Sequence, residues 1–77
     1  MNKEQMLIRL IARGEEYLSR AMEAKKQEND IKYYYQLSRF FIIIDQIKKE
    51  IQLLQLQKCY ISCYIYDEAL KLLNVVE

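Results

Sequence analysis

"QLSRFFIIIDQIKKEIQLL", residues 36–54, decides the fold. Within it Leu37, Phe40, Ile44, Ile47, Ile51 and Leu54 are separated alternately by three and four residues. That rhythm places them on one face of a helix, as in the seam of a coiled coil or helical bundle, whereas a half-buried strand would alternate every second residue. Phe41, Ile42 and Ile43 widen the apolar surface almost around the helix. A helix apolar on most sides is buried on most sides. One partner helix cannot cover it, so a third helix, a second chain or a client protein is required.

Upstream, "KKQEND" at residues 25–30 reads as a short loop. Lys25 and Lys26 suit a helix C-terminus, where the dipole favours cations. Asn29 is expected in the left-handed conformation and Asp30 as the cap of the next helix. Before the loop, Leu7, Leu10, Ile11, Gly14, Tyr17, Leu18 and Ala21 form an apolar stripe, with Arg9, Arg13, Glu16, Arg20 and Glu23 on the other face. Asn2 and Gln5 read as a weak N-cap pair. Gly14 lies on the stripe, either as a tolerated glycine or as a point of close helix approach.

Downstream the seam changes phase. Leu56, Cys59, Cys63, Tyr66, Leu70 and Leu73 repeat the rhythm shifted by two residues. A break between Gln57 and Tyr66 would let both seams face one core, and the turn is expected near Cys63–Tyr66 with Asp67 as cap. A single helix over 31–76 is the alternative. The expected architecture is all-α: an antiparallel hairpin with helices over 3–27 and 31–62 and a short third helix over 67–76, three helices in one domain that is free to dimerise. Turn residues agree. Pro is absent and Gly14 is the only glycine, so hairpins and sheets lack their turns.

With 77 residues the chain is one small domain. Chains of this size need staples, a partner or very good helix packing. Charged residues make up 30% but the net charge is only +1, which gives no long-range pull toward nucleic acid or an anionic membrane. Lys25, Lys26, Lys32, Lys48 and Lys49 are diluted by Glu28, Asp30, Asp45 and Glu50. The longest apolar run, Phe40 to Ile44, is far short of the roughly 20 residues of a membrane span. "MNKEQMLIRLIARGEE" carries charges throughout and reads as no secretory leader. A cytoplasmic, reducing setting is expected.

Catalysis is poorly supplied. The chain has no His, the commonest general base, and no glycine-rich phosphate loop. No cofactor is expected. Zinc needs about four ligands, and Cys59 and Cys63 supply two at most, so no metal is expected and both cysteines read as core positions. The seven tyrosines fall mainly in two clusters, around Tyr34 and around Tyr60 to Tyr66. Exposed tyrosines are favoured at protein contacts. The residues expected to meet a partner or a second copy are therefore Tyr34, Leu37, Phe40, Phe41, Ile43, Ile44, Ile47, Tyr60 and Tyr64.

The order Leu53, Leu56, Tyr60, Tyr66, Ala69, Leu73, Val76, with "YDEALKLL" opening a second helix, resembles one tetratricopeptide repeat. Gln57 and Tyr64 stand where that repeat has small residues, and its closing proline is absent. The whole chain also resembles the small helical-hairpin co-chaperones of type III secretion needle subunits. The shared features are its size, a first helix ending in charge, a short loop, an early tyrosine such as Tyr34 or Tyr35 and an apolar second helix. That resemblance implies a hydrophobic hairpin face that holds a tetratricopeptide-like partner and keeps a polymerising needle subunit soluble. The expected function is a non-enzymatic protein interaction module, an adaptor or co-chaperone that self-associates or masks apolar surface. The second reading is a small nucleic-acid-associated regulator, such as phages and plasmids encode.

Overall fold

A computed structural model describes residues 4–75. The fold is all-α, and the described residues form three helices: α1, Gln5–Lys26; α2, Asp30–Leu56; and α3, Cys63–Val75. The first two make an antiparallel hairpin, with Met6 and Leu10 of α1 beside Gln46 and Leu53 of α2. The third runs alongside α1. Ser62 reaches Glu4, and Leu72 reaches Gly14.

The stripe read on α1 is its inner face, with Leu7, Leu10, Ile11, Gly14, Ala21 and Ala24 buried. It meets Phe40, Ile43, Ile44, Ile47, Ile51 and Leu54 of α2, and α3 closes the core with Ala69 and Leu72. Gly14 is a point of close approach. A Cβ there would meet Leu72 Cδ1 at 3.1 Å and Ile43 Cγ2 at 3.4 Å, so side chains of α2 and α3 both converge on the α1 backbone at this point.

Both helix ends near the loops close in the same way, which the sequence disguises. At the end of α1, Glu28 and not Asn29 takes the left-handed conformation, with φ 57°. Its N–H donates to the Lys25 carbonyl, and Asn29 N–H donates to the Ala24 carbonyl. Asn29 is the cap: its Oδ1 accepts from Lys32 N at 3.1 Å, so Asp30 falls inside the first turn. At the end of α2, Lys58 has φ 55°, and Cys59 N–H donates to the Leu54 carbonyl at 2.9 Å. Glycine is the usual residue at such a position, because a side chain there is strained.

This second closure moves the break. It occupies residues 57–62, so α2 ends before the expected 62 and α3 starts before the expected 67. A single helix over 31–76 is not formed. Ser62 caps α3, its Oγ accepting from Ile65 N, and Asp67 lies within the helix. An earlier start also changes which residues face inward. Ala69 and Leu72 are buried, with Ile61, Ile65, Tyr66, Leu73 and Cys59 packed against the core. Leu56, Cys63 and Leu70, expected on the seam, lie outside. The expected cap at Asn2 lies outside the described residues.

Glu4 ties the ends of the fold together. It is only 9% exposed, and its Oε2 accepts from Ser62 N at 3.1 Å. A carboxylate at a helix N-terminus meets an unpaired N–H and the positive end of the dipole. Glu4→Ala is expected to cost about 1–2 kcal/mol and to loosen α3 first, read as faster amide exchange in Ile65 to Leu72.

The described part of α3 is 13 residues long and that of α2 is 27. At 1.5 Å per residue α3 therefore spans roughly half of α2. It reaches the level of Gly14, and the loop end of the hairpin is two helices thick. Fully buried Ala21 and Ala24 let the helices close there without a third. Gln36 sits in this region, and its Oε1 is buried with no hydrogen-bond partner. Such a group costs about 1–3 kcal/mol. Gln36→Met is accordingly expected to raise the melting temperature, checked by thermal denaturation.

Candidate interaction surface

Four of the nine residues expected at a protein contact belong to the chain's own core. Phe40, Ile43, Ile44 and Ile47 are each at most 6% exposed. α1 covers most of this face and Leu72 of α3 adds cover around Gly14, beside Ile43 and Ile47, so a stripe narrowed by Gly14 and Ala21 suffices. Leu37 is half-buried and packs against the same core. Tyr34, Phe41, Tyr60 and Tyr64 are exposed. They do not form one cluster, since Tyr34 and Phe41 lie on α2 while Tyr60 and Tyr64 flank the start of α3.

Another exposed set lies opposite the core on α2. Ile31, Tyr35, Ser38, Ile42, Asp45, Lys49, Gln52 and Leu56 are all exposed. Their spacing alternates between four and three, so they form a second seam along the outside of the helix. Leu53 borders it, 47% exposed. The signal was available in the sequence as a second series interleaved with the first. The density of isoleucines between residues 42 and 44 hid it.

Ser38, Asp45 and Lys49 of this outer seam find partners within the helix. Ser38 Oγ donates to the Tyr35 carbonyl at 2.8 Å. Lys49 Nζ is 3.0 Å from Asp45 Oδ2. Arg39 lies over the Tyr35 ring, 5.6 Å from its centroid, and a hydrogen bond with Tyr35 holds its guanidinium above the ordinary pKa. The lysines considered for nucleic acid are dispersed in the same manner. Lys25 lies over the Tyr33 ring at 5.8 Å, and Lys49 faces a carboxylate.

Elsewhere the surface offers shallow clefts. One, of about 190 Å³, opens between α1 and α3 and is lined by Ile8, Ile11, Ala12, Glu15, Tyr64, Ile65 and Glu68. Glu68 pairs with Lys71 at 3.2 Å, as an exposed pair of little energetic weight. Cys59 is half-buried and Cys63 exposed, so only Cys59 matches the expected core position. Among the described residues no helix is long and apolar enough to cross a membrane.

Compared with protein-family models, curated proteins and solved structures, the chain matches none. Both resemblances noted in the sequence rest on the residues that carry them.

Proposed function

We propose that the protein is a non-enzymatic, cytoplasmic interaction module whose outward apolar residues are covered by a second copy or by a protein partner. One observation carries this reading: α2 buries a complete seam inward and still presents Tyr35, Ile42, Leu53 and Leu56 outward, each between 47% and 81% exposed. Large apolar residues left exposed along one helix face, on either side of the Asp45–Lys49 pair, mark a contact site in small proteins. Capping a needle subunit, as the co-chaperone resemblance implies, is one way to use it. The lysines support a nucleic-acid role less well, because their neighbours cancel their charge.

Sedimentation equilibrium with an apolar fluorescent dye tests the reading. The expected result is a mass above the monomer's 9.4 kDa, or a cooperatively melting monomer that binds dye. A cooperatively melting monomer that binds no dye contradicts it.

A further inference from the structure

The outer seam of α2 is self-complementary, and we infer that its occupant is the same seam of a second copy, packed antiparallel about a twofold axis at the height of Ile47. This pairing rests on the interaction-module reading above and names its partner. The carrying observation is charge placement. The only ionic residues on the seam are Asp45 and Lys49, one turn apart on the exposed face. Reversing one copy about that axis sets each Asp45 against the other copy's Lys49 and each Lys49 against the other's Asp45. The intrahelical pair becomes a closed ring of four alternating charges.

The same operation sets the apolar seam residues Ile42 and Leu56 of one copy opposite polar seam residues of the other, with apolar neighbours to either side. Ile42 falls opposite the other copy's Gln52 and beside its Leu53. Leu56 falls opposite Ser38, in the gap between the other copy's Tyr35 and Ile42, as a knob into a hole. Ser38 tolerates burial there, since its hydroxyl already donates to the Tyr35 carbonyl. A parallel arrangement in register would set Asp45 against Asp45 and Lys49 against Lys49, so the charges also select the orientation. The contact is isologous and closes at two copies.

Charge reversal tests this directly. D45K and K49D should each weaken self-association at least tenfold in sedimentation equilibrium, because each creates like-charge contacts across the axis. The swap D45K/K49D should restore it. An equimolar mixture of the two single variants should form a heterodimer tighter than either variant alone. Both sites are exposed, so each variant is expected to keep its helices, which circular dichroism checks. Wild-type association unmoved by either reversal overturns the pairing and places the contact on another face. Wild-type protein that stays monomeric yet binds dye also overturns it, while leaving the broader reading intact.

Discussion

Replacing Phe40 with alanine is expected to unfold the protein at room temperature, while the same change at Phe41 leaves it folded. The two rings are neighbours in sequence, with centroids 6.0 Å apart. Phe40 is 0% exposed and Phe41 is 48% exposed. Removing a fully buried phenylalanine costs about 3–5 kcal/mol, the sum of lost transfer energy and the cavity left behind. A single core in a chain this short rarely supplies more than about 3–5 kcal/mol in total. Phe41→Ala removes no core contact of that kind and should shift stability by less than about 1 kcal/mol. Helical circular dichroism during urea titration separates the two. Equal loss in both variants would mean that α2 is rotated from the orientation described.

Gly14 carries the second large effect. An alanine Cβ would press on Leu72 Cδ1 at 3.1 Å and Ile43 Cγ2 at 3.4 Å. The Leu72 methyl, at the flexible end of its side chain, must give by a few tenths of an ångström, while 3.4 Å to the Ile43 methyl is close to ordinary contact. Alanine also gains about 1 kcal/mol of helix propensity over glycine, so Gly14→Ala is expected to be close to neutral. Gly14→Leu adds three more carbons where no space exists, and overpacking of that kind costs about 1–3 kcal/mol or more. The strain falls on α3, which is the shortest helix and is buried chiefly through Ala69 and Leu72. Hydrogen exchange should show α3 amides losing protection while the buried turns of α1 and α2 keep theirs. Unchanged protection of α3 in Gly14→Leu would contradict the three-way packing.

The helical class and the inner seam were legible because period and composition agreed. Leu37 to Leu54 repeat at helical spacing, and no turn residue interrupts them. The α2–α3 break falls inside the Gln57–Tyr66 interval but earlier than the favoured turn at Cys63–Tyr66, because its left-handed residue is Lys58 and its cap is Ser62, neither of which announces a turn. The six-residue shift at the end of α2 then carried Cys63 and Leu70 outward and Ala69 and Leu72 inward. Gly14 was legible only as an alternative, since the residues that press on it lie on helices remote in sequence. Of the residues expected at a protein contact, Tyr34, Phe41, Tyr60 and Tyr64 are exposed. Phe40, Ile43, Ile44 and Ile47 are buried instead, because how closely α1 approaches at Gly14 and where α3 lies depend on tertiary placement, which spacing does not encode.

Ile42 is exposed while the adjoining Ile43 and Ile44 are buried in the core, which makes the three reporters of the central claim that the inner seam closes the chain's own core and the outer seam meets a partner. Isoleucine δ1-methyl spectra recorded across a dilution series read each one separately. The expected result is a concentration-dependent shift of Ile42, with Ile43, Ile44 and Ile47 unmoved. Shifts at Ile44 and Ile47 with Ile42 unmoved would show that the inner seam is the contact between chains, and would contradict both the core and the outer interface.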